Sequence, residues 1–334
     1  MNFASDNVFG VHPRILEALQ AANAGTATSY GADDWTKRAE QRLGEVFERE
    51  VSAYLVVTGT AANALALSTM VPPYGALLCH ADSHIMVDEC GAPELFTGGA
   101  KLIGLDEPYG KITAGAVERK LDGFIRGVHD ARPAAISITQ ASEAGTVYTR
   151  PEIEAISEVA RRRALRLHMD GARFANALVS LAATPAELTW KAGVEALSFG
   201  ATKNGAMALE AVVFFDIALA EDFGHRRMRA GQLLSKGRFL GAQMLAYLDD
   251  DLWLEYDLWA TAQSGALTTT TTYDSLCPLA LKFRIMKSRT VRLYSWGSGN
   301  EGTGRRWGRL RGFACRILAD SWHWRCATAK HVSQ

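Results

Sequence analysis

From residue 54 to residue 215, short apolar runs alternate with stretches of helical period, and this alternation narrows the possible folds more than any other feature. The runs lie at 54–57, 77–79, 101–105, 135–139, 165–170, 196–199 and 211–215. Strands that take turns with helices assemble into a mostly parallel sheet covered by helices, an α/β fold. Ligands of such sheets sit beyond the carboxyl ends of the strands. The residues that end each run are therefore the ones to inspect for chemistry.

Between the runs the helix signals are local. Pro13 suits a first helical turn, with Ile15, Leu16 and Leu19 as the apolar face. Residues 25–34 read as a loop containing Tyr30-Gly31, and a helix follows from Trp35 with Ala39, Leu43, Val46 and Phe47 inward. Thr149-Arg150-Pro151-Glu152 forms a capping box with proline inside the first turn, so a helix is expected from there to about Arg163.

Five strand ends carry groups with chemical potential: Thr58, His84, Glu143, Asp170 and Lys203. The run at 54–57 breaks at Thr58-Gly59-Thr60 and continues as a helix. Backbone N–H groups at a helix start favour an anion, Gly59 allows close approach, and Thr60 adds a hydroxyl. The same residues also suit a plain threonine-capped helix. His80 and His84 follow another strand, but no third ligand stands at metal-like spacing, so no metal is expected. His84 could instead stack on a planar cofactor. Lys203 lies in Ser198-Phe199-Gly200-Ala201-Thr202-Lys203-Asn204-Gly205, between two apolar runs. A turn lysine is ordinarily solvated, whereas one sheltered from water can become a nucleophile toward a carbonyl. Asp170 ends a strand thirty-three residues earlier.

These motifs share their order and spacing with a known group. Thr58-Gly59-Thr60-Ala61-Ala62-Asn63, His84, His168-Met169-Asp170-Gly171-Ala172-Arg173 and Ala201-Thr202-Lys203 resemble the low-specificity threonine aldolases. The opening Ser5-Asp6-Asn7 and the loop Ser29-Tyr30-Gly31 match as well, and the likeness covers roughly residues 3–250. Those enzymes have the fold type I architecture of pyridoxal 5'-phosphate (PLP) enzymes. The resemblance implies a large PLP-binding domain over 1–250, with an N-terminal arm over 1–35, and a smaller C-terminal α/β domain over 251–334 that is atypical here. Lys203 would hold the cofactor aldehyde as a Schiff base, and Asp170 would keep the pyridine nitrogen protonated. Thr58, Gly59 and Thr60 would take the phosphate. His84 would stack on the ring and assist proton transfer. Arg173 would hold the ring hydroxyl region or the substrate, to which Ser5 and Tyr30 also belong. Tyr30 would reach a neighbouring subunit's site, so a homo-oligomer, dimer or tetramer, is implied.

The chain departs from that pattern in places. Many relatives carry a histidine where Gln140-Ala141-Ser142-Glu143 stands, and a desolvated Glu143 could serve as base in its stead. Met228 occupies what is often a lysine, leaving Lys236 and Arg238 as nearby basic candidates for the phosphate. After about residue 255 come five consecutive threonines, 268–272, and a tryptophan-rich stretch. Residues 282–334 hold twelve Lys or Arg against two Asp or Glu. Like charges repel and little aliphatic surface is available there, so the tail is expected to be divergent or poorly folded, through real divergence or a shifted reading frame. The arginine for the substrate carboxylate should lie in this tail, at Arg292 or Arg311. Gly297-Ser298-Gly299-Asn300-Glu301-Gly302 matches a dinucleotide-binding pattern, but too little chain follows it, and a loop is expected.

The formal net charge is zero, which gives no sign of nucleic acid or a membrane surface as partner. The five cysteines are widely spaced without a C-x-x-C pair, and the N-terminus lacks a signal-peptide pattern, so a reducing cytoplasm is expected. Three functions fit at this point. The first is aldol cleavage of L-threonine or L-allo-threonine to glycine and an aldehyde. The others are another fold type I lyase or transaminase, and a damaged homologue that binds PLP without turnover.

Overall fold

The computed structural model describes residues 5–255 in full, and the backbone of residues 291–293 and 313–315. The chain divides into two units, Met1–Tyr273 and Asp274–Gln334. In the first, seven strands form one sheet: β1 (Ser52–Val56), β2 (Gly75–His80), β3 (Lys101–Leu105), β4 (Arg132–Thr139), β5 (Arg166–Gly171), β6 (Ala196–Gly200) and β7 (Glu210–Phe214). Their order is β1-β7-β6-β5-β4-β2-β3. From β6 through β5, β4 and β2 to β3 every pairing is parallel, while β7 runs antiparallel to both β6 and β1. The sheet is thus mixed but mostly parallel, as the alternation requires.

The helices are α1 (Pro13–Ala22), α2 (Asp34–Val46), α3 (Gly59–Met70), α4 (His84–Val87), α5 (Ala92–Thr97), α6 (Ala114–Leu121), α7 (Arg150–Arg162), α8 (Phe174–Leu181), α9 (Phe223–Arg229) and α10 (Arg238–Leu248). Successive strand side chains point to opposite faces, and the core divides accordingly. Leu55, Leu78, Leu197 and Val213 join one apolar cluster with Leu43 of α2, Ile153 of α7 and Met244 of α10. Val56, Leu77, Ala196 and Val212 join a second with Leu65 of α3 and Phe223 of α9. One expectation needs adjustment. Leu16, expected on the inward face of α1, is 47% exposed, because only Ile15 and Ala22 of that helix are buried. The capping box holds, with the Glu152 carboxylate accepting from the backbone N–H and the hydroxyl of Thr149 at 2.7 and 2.9 Å.

Register brings the relevant strand ends to one edge. Val56 and Gly200 both pair with Glu210, Phe199 pairs with Gly171, and Asp170 pairs with Thr139. Close approach at this edge depends on two glycines. A Cβ at Gly200 would lie 2.5 Å from the Ala172 carbonyl oxygen, and one at Gly171 would lie 2.9 Å from that of Ser198. Larger residues would force β5 and β6 apart where Asp170 and Lys203 emerge. Among the described residues, no helix is long and apolar enough to cross a membrane. In the second unit, Val291–Leu293 (β8) pairs antiparallel with Phe313–Cys315 (β9), opposing Arg292 to Ala314.

Candidate active site

The site begins at the turn after β6. Thr202–Asn204 form a single helical turn closed by Gly205 in the left-handed region. The Asn204 side chain donates to the Tyr247 hydroxyl at 2.8 Å and to the Trp253 carbonyl at 2.7 Å, and Tyr247 donates to the Gly200 carbonyl at 3.1 Å. The end of α10 thereby fixes the turn that carries Lys203. Beneath it, the buried Glu210 accepts from the Ala201 N–H at 3.1 Å. Burial pushes the Glu210 carboxyl up to about 7, against the pull of Thr202, Ala201 and the nearby Lys203 charge.

Asp170 is buried at the end of β5. One carboxylate oxygen accepts from the Ala172 N–H at 3.0 Å and the other from the Asn63 amide nitrogen at 2.9 Å. The same amide nitrogen donates to Glu89 Oε1 at 2.8 Å. Two carboxylates require both of its protons, which fixes the orientation of the amide. Glu89 Oε1 also lies 2.8 Å from His84 Nδ1. His84 opens α4, and its backbone N–H donates to Glu143 Oε1 at 2.7 Å. Four of the five strand-end groups therefore stand in one neighbourhood: His84, Glu143, Asp170 and, through its charge on His84, Lys203. The hydrogen bond to Glu89 raises the His84 imidazole, burial opposes it, Asp170 adds to the rise and Lys203 opposes it. Burial, then the charge of Asp170, pushes Glu143 up.

The fifth group caps α3. The Thr58 hydroxyl accepts from the Ala61 N–H at 3.1 Å and its carbonyl from the Ala62 N–H at 3.0 Å. The N–H groups of Gly59 and Thr60 stand ahead of these, where a helix has no internal acceptor to offer. Nothing lies within 4 Å of a Cβ built at Gly59, so the backbone there is approachable. Thr58 is thus a plain cap and, at the same time, the threshold of an anion cradle.

Other expected residues fall differently. Arg173 pairs with Asp6 of the single turn Asp6–Val8, Nε to Oδ2 at 2.7 Å, and that turn packs against the Lys203 turn. Ser5 caps it, its hydroxyl accepting from the Asn7 N–H at 3.2 Å. Tyr30 is exposed, in the left-handed region, with its N–H on the Ser235 carbonyl at 2.9 Å. Arg238, a candidate for the phosphate, instead donates to the Gly25 carbonyl at 3.2 Å. His80, weighed as a metal ligand, places Nε2 2.7 Å from the Glu107 carbonyl and accepts the Asp82 N–H at 3.0 Å through Nδ1, so both nitrogens are committed to the backbone. The backbone of Arg292 lies on β8, while Arg311 and 297–302 lie outside the described residues. Sequence reasoning passed over Asn63, Glu89 and Glu210. Asn63 carried a signal, an amide among the apolar residues of α3; Glu89 entered only as a residue too poorly spaced for a metal with His80 and His84, and Glu210 gave no signal.

Residues 2–273 match the beta-eliminating lyase family. The chain belongs to that family. It is 45% identical over 254 residues to the low specificity L-threonine aldolase of a Pseudomonas species, across 76% of this chain and 73% of that one. Its fold resembles the threonine aldolase of Leishmania major at a TM-score of 0.73 and 30% identity, covering 79% of this chain and 76% of that one. The aspartate aminotransferase of Thermus thermophilus shares the architecture at 14% identity and a TM-score of 0.59, over 76% and 66% of the two chains. The family is PLP-dependent, and the residues here suit that cofactor. Of the four buried side-chain oxygens without a hydrogen-bond partner among the described residues, three, Asn63 Oδ1, Glu89 Oε2 and Glu143 Oε2, belong to the network around Asp170 and His84, and the fourth is Glu94 Oε2. The approachable Gly59 cradle completes an arrangement that offers an anion site, a buried carboxylate and a lysine along one sheet edge.

Proposed function

We propose that the chain catalyses PLP-dependent aldol cleavage of L-threonine and L-allo-threonine to glycine and an aldehyde. The juxtaposition of Asp170 with His84 and Glu143 on the edge that also carries Lys203 is the observation that supports this reading most strongly. When bound, PLP supplies an electron-poor ring that accepts the electron pair of the breaking bond. Lys203 holds the cofactor through Nζ. Asp170, braced by Asn63 and by the Ala172 N–H, holds a proton at the ring nitrogen. Gly59 and Thr60 offer their N–H groups, and Thr60 its hydroxyl, to the phosphate, behind the cap made by Thr58. His84 would stack on the ring and assist proton transfer. Glu143, pushed up by burial, takes the β-hydroxyl proton at Oε2, the oxygen without a partner. Arg173, steered by Asp6, addresses the ring hydroxyl region or the substrate, and Ser5 stands beside it.

Residues after 250 are proposed to form a smaller domain that supplies the arginine for the substrate carboxylate, Arg292 or Arg311. A homo-oligomer, dimer or tetramer, is supported by the exposure of Tyr30, which leaves its ring available to a neighbouring subunit. A cytoplasmic setting is supported by the free thiols of Cys79 and Cys90. The test is glycine release from L-threonine by the purified chain, alongside a Lys203→Ala variant. The parent should release glycine and retain covalently attached PLP after borohydride reduction, and the variant should do neither. Reducible PLP on another lysine of the variant would remove Lys203 from its assigned role.

A further inference from the structure

The turn between α4 and α5 places a carboxylate where nothing in the sequence pattern called for one. Cys90 and Gly91 adopt left-handed backbone, and the Glu89 carbonyl accepts the Ala92 N–H at 2.9 Å. This tight reversal turns the Glu89 side chain inward until it has no exposed surface. Its Oε1 accepts the Asn63 amide at 2.8 Å and lies 2.8 Å from His84 Nδ1. Its Oε2 is buried without a hydrogen-bond partner. A buried carboxylate is costly unless a partner favours its charge, and the partner in reach is the imidazole.

We propose that Glu89 is a positioning residue that acts through His84, fixing Nδ1 as the proton-bearing nitrogen and leaving Nε2 as the atom that exchanges protons. Asn63 Nδ2 can only donate, so Oε1 accepts from it, and with Glu89 ionised the ring nitrogen facing Oε1 carries the hydrogen. Burial pushes the Glu89 carboxyl up, and the hydrogen bonds from His84 and Asn63 oppose that rise. The same carboxylate fixes the ring's orientation, because the His84 N–H is held independently by Glu143 Oε1 at 2.7 Å. The charged groups that bear on the imidazole come from four elements. Glu89 lies in the α4–α5 turn, Asp170 at the end of β5, Glu143 after β4 and Lys203 after β6. The three carboxylates favour imidazolium and the lysine opposes it, with Glu89 in direct contact. Through Asn63, Glu89 is also linked to Asp170, so the residues that would meet the ring face and the ring nitrogen of a bound cofactor share one hydrogen-bond chain.

The inference rests on the proposed function only in giving His84 work at the cofactor. Its test therefore begins on the full-length chain without PLP, by nitrogen NMR of labelled histidine. The parent protein should show His84 protonated at Nδ1 in its neutral form, and the tautomer bearing hydrogen on Nε2 would overturn the proposal. This measurement needs no variant and no activity. In Glu89→Gln the His84 titration should move down by about one pH unit or more. With PLP bound, cofactor content should be retained, while the limb of the kcat–pH profile governed by the imidazole moves in the same direction. A uniform fall in kcat with the limb and the NMR titration unmoved would reduce Glu89 to a structural role. Loss of threonine cleavage in the parent, with the tautomer as expected, would overturn the proposed function and leave the positioning intact.

Discussion

Asp170 shows how far single residues could be read. Its place at a strand end, and the spacing to Lys203, were legible because strand periodicity and the parallel sheet dictate where ligands sit. The brace on Asp170 was not. Asn63 reaches it from a helix more than a hundred residues earlier, at 2.9 Å, and no local pattern encodes such a meeting. Replacing Asp170 by alanine removes the charge facing the ring nitrogen and strands the Asn63 amide proton in a buried site. The barrier should rise by about 3 kcal/mol or more, a hundredfold or greater fall in kcat at retained PLP content. A variant within a few-fold of the parent would remove Asp170 from the chemistry. Glu210 is the opposite case, since a glutamate at the head of an apolar run reads as a surface residue. Its place between Val56 and Gly200, on the strands to either side, accounts for its burial.

At the scale of elements, the strands were legible from their apolar runs and their direction was not stated for each. The segment joining β6 to β7 is too short for a crossover helix, which forces the antiparallel pairing seen. Strand β5 also carries a load that periodicity hides. His168, fully buried, has Ser137 Oγ 2.9 Å from Nδ1 and Ser198 Oγ 3.1 Å from Nε2, on the strands to either side. Burial pulls its imidazole down to about 4, against the charge of Asp170. The unfolded chain binds a proton on this histidine below about 6.5 that the folded chain refuses until about 4. Stability from this residue is thus complete above about pH 6.5 and lost as the pH falls toward 4, about 3 kcal/mol in all. Glu210, raised to about 7, has the opposite slope, because the folded chain keeps its proton while the unfolded chain releases it above about 4.5. The two oppose each other between about pH 4.5 and 6.5, so the parent's own curve conceals both. The stability difference between parent and His168→Gln, from urea unfolding of the PLP-free chain, should grow by about 3 kcal/mol between pH 4 and 6.5 in the parent's favour. A difference that stays level across that range would mean His168 is not held neutral.

At the scale of the whole molecule, the chemistry divides along the chain. Every residue that the proposed function gives to the cofactor precedes Asn204, and the family match ends at residue 273. The arginine for the substrate carboxylate is assigned beyond that point, to Arg292 or Arg311. Local sequence favours Arg292, within Thr290-Val291-Arg292-Leu293, and distance from Lys203 favours Arg311. The two halves of the task should therefore separate under mutation. Arg292→Ala and Arg311→Ala should each retain PLP, read from the cofactor absorbance and the borohydride-fixed adduct. The one that holds the carboxylate should raise KM for L-threonine by about tenfold or more, since a charge-assisted hydrogen bond is worth roughly 1.5–3 kcal/mol. The other should leave KM within a few-fold of the parent. If neither variant changes KM while both bind PLP, the carboxylate is held by the first unit, and Arg173, already beside the Lys203 turn through Asp6, becomes the residue to test. If either variant loses PLP, the division of labour proposed here between residues 1–250 and the rest of the chain is wrong.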